Sequence, residues 1–364
     1  MSIYIREILW RMGAFKVLEK YDVTIIGGGP AGLFSSFYSG LRGLKTKIIE
    51  CQSELGGKVL LYPEKMIWDV GGQPPILGEA FAKQIVAQGL TFEPTVCTNT
   101  KVELIQKDEN NHFIITTNDG RKHYSKSIIL AIGGGIIEPK RLDLAGAEKY
   151  EGKNLHYTVK SLKQFHNKTV LISGGGDAAI DCAVELLDIA KKVIIVYRKK
   201  ECRAHEAQVD KLIKGNAKFI MNTTISSLVG NEDDTAIKQV VLKNILSGIT
   251  QRVEIDQVIV QHGYNQDVSF NVAEDLTLEK KDDYFYKGDA FGCTTQEGIF
   301  AAGDILTYDG KINLLAGTFQ DAVNAVNSVK NYLDPNAAKV AMVSSHNEAF
   351  EEKNKEMIAT MLGS

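Results

Sequence analysis

Apolar residues recur along the chain in short runs that end in glycines. The first run, residues 21–26, begins by alternating and then continues unbroken, which is typical of a strand buried in a parallel sheet. A G-x-G-x-x-G pattern beginning at Gly27 follows at once, and helical spacing extends from residue 30 to about residue 40. Residues 46–49 form the next apolar run and end at an acid. The pattern therefore predicts strand, glycine turn, helix and strand in that order.

The glycines and the acid of this unit have separate physical tasks. Gly27 permits the tight turn, Gly29 lets a pyrophosphate approach the backbone, and Gly32 lets helix and strand pack closely. The helix N-terminus offers unpaired N–H groups to phosphate oxygens. Glu50, at the end of the second strand, can accept hydrogen bonds from the ribose hydroxyls of an adenosine. A lone glycine motif is weak, but the complete order of elements predicts a dinucleotide site.

A second unit of the same kind begins at residue 169. Residues 169–173 predict a strand, Gly174-x-Gly176-x-x-Ala179 the turn, residues 178–190 a helix and residues 193–197 the next strand. Where the first unit has Glu50, this one has Arg198 and Lys199, with Lys200 and Arg203 close behind. Cations without a carboxylate suit the 2′-phosphate of NADP. The alternative is a solvated basic start to a helix.

The rest of the chain repeats these signals. Helical spacing covers residues 78–88, and short strands between residues 95 and 124 contain an Asn-Asp-Gly turn at 118–120 that predicts a hairpin. Residues 127–132 predict a buried strand that runs into Gly133. A later strand ends in Ala301-Ala302-Gly303-Asp304, and residues 311–333 predict a helix whose N-terminus could face a ring carbonyl. A polar tail with a charged, helix-like end follows.

Length and composition exclude several classes of protein. The chain has 364 residues, enough for two domains, and is 44% hydrophobic and 24% charged, with a formal net charge of -3. This balance gives no reason to expect nucleic-acid binding, and no apolar stretch is long enough to cross a membrane. Five scattered cysteines without C-x-x-C or metal-ligand spacing indicate the reducing cytoplasm, and we expect no metal site. Residues 1–20 predict an N-terminal extension, consistent with a short amphipathic helix and equally with translation from Met12.

Two dinucleotide units in one chain predict an electron-transfer pair. One cofactor needs only one unit, so the second indicates a flavin held by the first unit and a nicotinamide that docks on the other. We therefore predict an α/β fold with two Rossmann-like three-layer nucleotide-binding domains, one for FAD and one for NADP.

These motifs resemble the flavoprotein pyridine nucleotide reductases of the thioredoxin-reductase-like group. In that group the EGIFAAGD segment belongs to the flavin domain, and its Asp, here Asp304, bonds the ribitol of FAD. Because Asp304 follows the nicotinamide unit, the resemblance implies an NADP domain inserted into the FAD domain. The implied domains are 21–134 with 265–364 for FAD and 135–264 for NADP. Tyr197–Ala204 is similar to the group's HRRxxxRA phosphate signature, with Tyr for His and Lys199 for the second Arg.

The cysteines and three segments narrow the resemblance. Thioredoxin reductases carry a redox C-x-x-C after the second glycine turn, where this chain has Cys182 alone. The LLYPEKMIWDVGG and GDILTYDGKINLLAG segments and the C-terminal extension resemble the ferredoxin/flavodoxin–NADP reductases of the thioredoxin-reductase-like type. That resemblance implies a homodimer in which Tyr62 stacks on one flavin face and a tail residue of the partner, best matched by His346, covers the other. The alternative for His346 is an exposed tail histidine.

The resemblance and the motifs together define two sets of expected cofactor contacts. Those to FAD are Gly27, Gly29, Pro30, Ala31, Gly32, Glu50, Gly57, Lys58, Tyr62, Val70, Gly133, Asp304, Leu315 and His346. Those to NADP are Gly174, Gly176, Asp177, Ala178, Ala179, Arg198, Lys199, Arg203 and Gly263. No side chain is expected to act as nucleophile or acid–base catalyst.

The expected activity is electron transfer between NADPH and ferredoxin or flavodoxin through FAD. The first alternative is an NAD(P)H oxidase or diaphorase whose acceptor is oxygen, a quinone or iron. The second is a redox sensor that binds flavin and NADP and acts through a partner.

Overall fold

The computed structural model describes residues 19–159, 161–267 and 270–363. Nearly all of the predicted extension at residues 1–20 therefore lies outside the described residues. The described residues divide into two compact units, one within residues 1–60, 66–136 and 268–364 and the other within residues 61–65 and 137–267. These limits differ by a few residues from the predicted domain limits at 134/135 and 264/265, and they move residues 61–65 to the second unit. Which unit holds which cofactor stays a prediction.

Short strands predominate, and they are numbered here in chain order. They are β1 (Lys20–Ile26), β2 (Thr46–Ile49), β3 (Met66–Ile67), β4 (Ile76–Leu77), β5 (Thr95–Cys97), β6 (Val102–Lys107), β7 (Phe113–Thr117), β8 (Lys122–Leu130), β9 (Ile136–Pro139), β10 (Leu155–His156), β11 (Thr169–Ser173), β12 (Lys192–Tyr197), β13 (Lys218–Met221), β14 (Thr223–Gly230), β15 (Ile237–Asn244), β16 (Thr250–Glu254), β17 (Gln257–Val260), β18 (Tyr264–Asp267), β19 (Asn271–Val272), β20 (Lys280–Lys281), β21 (Phe285–Lys287), β22 (Ile299–Ala301) and β23 (Leu306–Thr307).

The α-helices flank the two main sheets or form the tail. They are α1 (Pro30–Leu41), α2 (Gly78–Gly89), α3 (Asp177–Leu186), α4 (Glu206–Lys214), α5 (Leu315–Leu333) and α6 (Glu351–Leu362). Single 3₁₀ turns occupy Gly57–Leu61, Ala147–Tyr150, Leu162–Phe165, Ser344–His346 and Glu348–Phe350.

An eight-stranded sheet forms the frame of the first unit. Its order is β19-β6-β7-β8-β1-β2-β5, and β22 also pairs with β8. The pairs of β1 with β2 and β8, and of β22 with β8, are parallel. The carboxyl ends of β1, β2 and β22 therefore meet at one edge, where Gly27, Glu50 and Gly303 follow their strands.

Both faces of this sheet are covered by apolar side chains. Val23 and Ile25 of β1 are fully buried against Ala325, Val326 and Val329 of α5. On the other face, Ile128 and Leu130 of β8 pack with Phe113, Ile105 and Tyr286. The continuous apolar run at residues 21–26 is explained by this burial on both sides.

The second unit has a five-stranded parallel sheet in the order β10-β17-β11-β12-β13. One of its two apolar clusters contains Phe165, Ile172, Ile180 and Leu212, and brings α3 and α4 against the sheet. The antiparallel sheet β14-β15-β16 packs on the other cluster through Ile225, Val240 and Leu242. Strands β9 and β18 pair separately.

The predicted elements are confirmed, with differences at some ends. The hairpin at residues 118–120 joins β7 to β8, and Gly120 has the positive φ of 77° that the turn needs. Helix α3 ends at Leu186 instead of residue 190. The chain turns back there, because the carbonyl of Ile189 accepts from the N–H of Asn167 and the N–H of Lys191 donates to the carbonyl of Lys168. The predicted helix 311–333 starts at Leu315, because Lys311 points inward to other partners.

Candidate functional site

The first glycine turn presses α1 against β1. Gly27 has φ = 108°, and a Cβ there would lie 2.4 Å from the carbonyl oxygen of Ala131. A Cβ on Gly32 would lie 1.9 Å from the carbonyl oxygen of Gly27. Neither position has room for a side chain, so the turn and the close approach of the helix both require glycine.

The N-terminus of α1 is open to an anion. Gly29 is its N-cap and supplies no side chain, and Pro30 is the first helical residue. The early N–H groups of a helix, here those of Ala31 and Gly32, have no intrahelical acceptor. Gly57 lies against this end with φ = 62°, and a Cβ there would be 2.6 Å from Cα of Gly29. Two bare backbone segments thus border a site of the kind that a pyrophosphate occupies.

Glu50 is 6% exposed at the end of β2. Its Oε2 accepts from the N–H of Gly28 at 2.5 Å, and its Oε1 accepts from the N–H of Gln52 at 2.8 Å and from Cys51 Sγ at 3.2 Å. A carboxylate offers about four lone-pair sites, and a thiol is a weak donor. Glu50 is therefore held in place by two backbone bonds and keeps acceptor capacity for a ribose hydroxyl.

The turn after β22 lies against the start of α1. Gly303 has φ = 79°, and a Cβ there would be 2.9 Å from Cβ of Ala31. Asp304 follows it and is half-buried, and its carboxylate makes no hydrogen bond or ion pair with any described residue. A half-buried carboxylate without a protein partner is available to hydroxyl donors of a ligand.

Other residues predicted to contact FAD occupy varied positions. Lys58 is exposed in the 3₁₀ turn after Gly57, and Gly133 has φ = 55° with open space at its Cβ position. Val70 is half-buried and lines a cavity of about 590 Å³ together with Phe81 and Phe319. Leu315 begins α5 and packs on the cluster of Leu33 and Phe81. His346 is exposed, with its Nδ1 3.1 Å from Ser345 Oγ.

Tyr62 lies in the segment that groups with the second unit. The residue is 38% exposed, and Lys65 Nζ lies 5.6 Å from the centroid of its ring. The segment is held there because Glu64 accepts from the N–H of Leu162 at 2.7 Å and Lys65 Nζ lies 3.4 Å from Glu185. The predicted stacking of Tyr62 on a flavin stays a prediction.

The second glycine turn has the same construction in the second unit. A Cβ on Gly174 would lie 2.4 Å from the carbonyl oxygen of Gln261 and 2.9 Å from Cβ of Ala179. Gly176 is the N-cap of α3, and nothing lies within 4 Å of a Cβ built there. Gly175, which the motif does not single out, has the ring of Tyr197 only 2.4 Å from its Cβ position. The open side at Gly176 is the side from which a ligand could approach.

Three cations converge beside this turn. The N–H of Arg203 donates to the carbonyl of Gly175 at 2.6 Å, which brings the basic segment against the glycines. Desolvation and the neighbouring charges of Arg203 and Arg198 hold the pKa of Lys199 below its usual value. Among the described residues, neither Arg198 nor Arg203 forms an ion pair. Cations that repel one another and have no acidic partner among the described residues form a site for a multiply charged anion.

The remaining predicted NADP contacts surround the same turn. Asp177 is the first residue of α3, and its Oδ1 accepts from the N–H of His205 at 3.3 Å. As an acid it repels phosphate, so hydroxyl or amide donors are its chemically suitable partners. Ala178 is exposed beside it, and Gly263 has φ = 86° with an open Cβ position.

A sequence profile of the pyridine nucleotide-disulphide oxidoreductases matches residues 21–328. The chain belongs to that family. It is 60% identical over 338 residues to ferredoxin–NADP reductase 3 of Lysinibacillus sphaericus strain C3-41, covering 93% of this chain and 97% of the relative. It is 53% identical over 344 residues to ferredoxin–NADP reductase 2 of Exiguobacterium sibiricum, covering 94% and 98%. The crystal structure of Lactococcus lactis thioredoxin reductase superposes with a TM-score of 0.64 at 25% identity, covering 86% and 99%.

These similarities confirm the predicted family and the two-domain α/β fold class. No helix of the described chain combines the length and apolar character needed to cross a membrane. The described residues also contain no group of three or more His, Cys, Asp or Glu residues arranged to hold a metal ion.

The five cysteines of this chain include no C-x-x-C pair. All five are free, and the one in the second unit's glycine-turn helix, Cys182, is buried. Burial raises the pKa of Cys182 to about 12, and burial with the Glu50 carboxylate raises that of Cys51 to about 12. Thiols that stay protonated are poor nucleophiles and poor redox partners.

The residue patterns missed several groups at these sites. Gly28 bonds Glu50, and His262 Nε2 lies 2.8 Å from Oγ of Ser173, at the edge of the second glycine turn. Desolvation of the ring and the Arg198 charge lower the pKa of His262. Lys311 and Asp321 bond Gly303. The one signal for the last pair is that Asp321 interrupts the apolar face of α5, where it stands among Thr318, Ala322 and Ala325.

Proposed function

We propose that this protein is an FAD-dependent oxidoreductase that transfers electrons between NADPH and ferredoxin. One observation carries the proposal: the chain has two separate strand–glycine–helix turns, one followed by buried Glu50 and the other by the Arg198 cation cluster, but no C-x-x-C pair of cysteines to relay electrons. The ferredoxin–NADP reductases that share 60% and 53% identity with the chain over nearly its full length have the same pair of substrates in their names.

We assign FAD to the first unit. Its pyrophosphate would lie at the N-terminus of α1 beside Gly57, and its adenosine ribose would bond Glu50. Asp304, whose carboxylate has no partner in the described chain, would bond the ribityl hydroxyls. When bound, FAD accepts a hydride from NADPH and passes single electrons to an iron–sulfur acceptor.

NADPH is assigned to the second unit. Its pyrophosphate would lie at the N-terminus of α3, where Gly176 leaves the backbone open. Its 2′-phosphate would be held by Arg198, Lys199 and Arg203. In this assignment the chain binds and orients both cofactors and excludes water, and no side chain breaks a bond.

Further partners follow from the resemblance. Flavodoxin is the alternative acceptor, a homodimer the expected assembly, and the cytoplasm the expected compartment, supported by five unpaired cysteines.

The described part of the tail supports the homodimer: His346 is exposed, and Met357, Ile358, Met361 and Leu362 of α6 are each more than half exposed. Sedimentation velocity on the full chain should give twice the 40.0 kDa of one chain. A single species of one chain's mass would contradict the homodimer.

The activity is tested by stopped-flow absorbance of the flavin in anaerobic holoenzyme. NADPH and NADH are compared at equal concentration, and oxidised ferredoxin is then added. We expect reduction at least about tenfold faster with NADPH, because charge-assisted bonds to the 2′-phosphate are lost with NADH, followed by rapid reoxidation by ferredoxin.

Other outcomes would reject the proposal. Reoxidation by oxygen, a quinone or ferric iron but not by ferredoxin would indicate the oxidase or diaphorase. Binding of both cofactors without electron transfer to any acceptor would indicate the redox sensor.

A further inference from the structure

A buried ion pair lies behind the Gly303–Asp304 turn. The side chains of Lys311 and Asp321 pair directly and are 8% and 1% exposed. In every other ion pair of the described residues, at least one side chain is more than a fifth exposed. Tyr308 adds a third member, because its hydroxyl donates to Asp321 Oδ1 at 2.7 Å.

Both charges of the pair bond the same backbone residue. Asp321 Oδ2 accepts from the N–H of Gly303 at 3.0 Å, and Lys311 Nζ donates to the carbonyl of Gly303 at 3.0 Å. Gly303 has a positive φ and approaches Ala31 so closely that a Cβ would be 2.9 Å from the alanine Cβ. The pair therefore holds the backbone where it leaves β22 and restricts the position of the next residue, Asp304.

Stability does not by itself account for this arrangement. Desolvation of two charges costs about as much as their attraction returns, and apolar residues of similar volume often stabilise a core equally well. The charges do, however, supply directed hydrogen bonds to Gly303 that apolar residues cannot make. Burial and the Asp321 carboxylate raise the pKa of Tyr308 to about 12, so this phenol stays a donor across the physiological range.

We propose that Lys311 and Asp321 are positioning residues of the FAD site. They hold the Gly303–Asp304 turn against the N-terminus of α1, so that the unpartnered Asp304 carboxylate is oriented toward the ribityl chain of FAD. The inference rests on the proposed assignment of FAD to this unit. It adds two residues that do not touch the cofactor and act through Gly303.

The test replaces both charges together, as Lys311→Met with Asp321→Leu. Removal of one partner would leave an unpaired buried charge and could prevent folding, whereas the double change keeps volume and removes both charges. FAD affinity is measured by quenching of flavin fluorescence on titration into the flavin-free full chain. The melting temperature of the flavin-free chain and the visible circular dichroism of the bound flavin are measured alongside. We expect FAD to bind about 10- to 100-fold more weakly, with altered dichroism and a melting temperature within about 5 °C of wild type.

Two matched variants separate positioning from general packing. Tyr308→Phe keeps both bonds to Gly303 and should leave FAD affinity within about threefold of wild type. Lys47→Met removes another buried lysine of the same unit, near the end of β2 that lies away from Glu50. This variant should change the melting temperature but not the affinity for FAD.

Three results would overturn the inference. The first is wild-type FAD affinity and dichroism in the double variant, and the second is a loss of FAD affinity in Lys47→Met equal to that in the double variant. The third is a flavin-free double variant that melts more than about 15 °C below wild type, because the pair would then be needed for the stability of the core. A wild-type chain that binds no FAD would instead reject the proposed function on which the inference rests.

Discussion

At the scale of single residues, we propose that nucleotide selectivity depends on the cations beside the second glycine turn. Desolvation, then the charges of Arg203 and Arg198, hold the pKa of Lys199 below its usual value, and neither arginine has an acidic partner among the described residues. Such a cluster is stabilised by bound anion, because a phosphate relieves the mutual repulsion.

Arg198→Ala should therefore raise KM for NADPH about 10- to 100-fold, the effect of one lost charge-assisted bond, and change KM for NADH less than about threefold. Lys214→Ala is the matched control, since it removes an exposed cation at the end of α4 in the same unit. Steady-state reduction of a one-electron dye with both nucleotides measures the effect. Equal losses with NADPH and NADH would contradict a 2′-phosphate site.

Another residue-scale feature is a buried histidine in the first unit. His123 is 6% exposed, its Nδ1 lies 3.1 Å from Lys47 Nζ, and its Nε2 has no hydrogen-bond partner in the described structure. Burial, then the charges of Lys47 and Arg121, lower the pKa of His123 to about 4. The unfolded chain takes up this proton near pH 6.5, so between about pH 6.5 and 4 the unfolded state binds more protons. The free energy of unfolding should then fall as pH falls through that window.

His123→Gln keeps an acceptor for Lys47 and removes the titration. Urea unfolding of the flavin-free chain at pH 4, 5, 6 and 7 should show a shallower decline in the variant, by at most about 1.4 kcal/mol per pH unit, the limit for one proton. Identical pH slopes would show that His123 takes up its proton equally in both states.

At the scale of elements, the two glycine turns differ in what their glycines do. Gly32 is needed for the packing of α1 on β1, because a Cβ would come within 1.9 Å of a carbonyl oxygen. Gly176 has open space around its Cβ position and φ = -94°, which any residue adopts. Gly32 is therefore a requirement of the fold, whereas we propose that Gly176 leaves room for the ligand.

Gly32→Ala should destabilise the flavin-free chain by about 1–3 kcal/mol through overpacking and lower its melting temperature by several degrees. Gly176→Ala should leave the melting temperature within about 1 °C and weaken NADPH binding, since the methyl group stands where the pyrophosphate would approach the backbone. Thermal unfolding and nucleotide titration on both variants check this. A lower melting temperature in Gly176→Ala with unchanged NADPH affinity would show instead that Gly176 is needed for the fold.

At the scale of the whole molecule, the two compact units should respond to different cofactors. Hydrogen exchange on the flavin-free chain should show FAD protecting amides of residues 29–33, 50–58 and 303–306, and NADP⁺ protecting residues 174–178 and 198–204. The tip between β15 and β16, where Leu246 is 77% exposed, should be unaffected by either cofactor. Protection of the first unit alone by NADP⁺ would contradict the assignment of the second unit to NADPH.

Much of this organisation could be predicted from residues close together in the chain. The turns at Gly27 and Gly174, the helices that follow them and the acid or cations after the next strand depend on periodicity and turn chemistry within about 30 residues. The structure confirms those elements and the family confirms the fold. The absence of a redox C-x-x-C was also readable in the sequence, because it is a local spacing.

What the tertiary structure decided are the contacts between distant parts of the chain. Gly303 approaches Ala31 because β22 joins the sheet beside β8. Lys311 and Asp321 both hydrogen-bond Gly303 only because the folded unit brings them to it. Residues 61–65 group with the second unit through Glu64 and Lys65, which no local pattern indicates. Periodicity records which face of an element is buried, but the order of strands and the partners of a buried charge depend on packing across hundreds of residues.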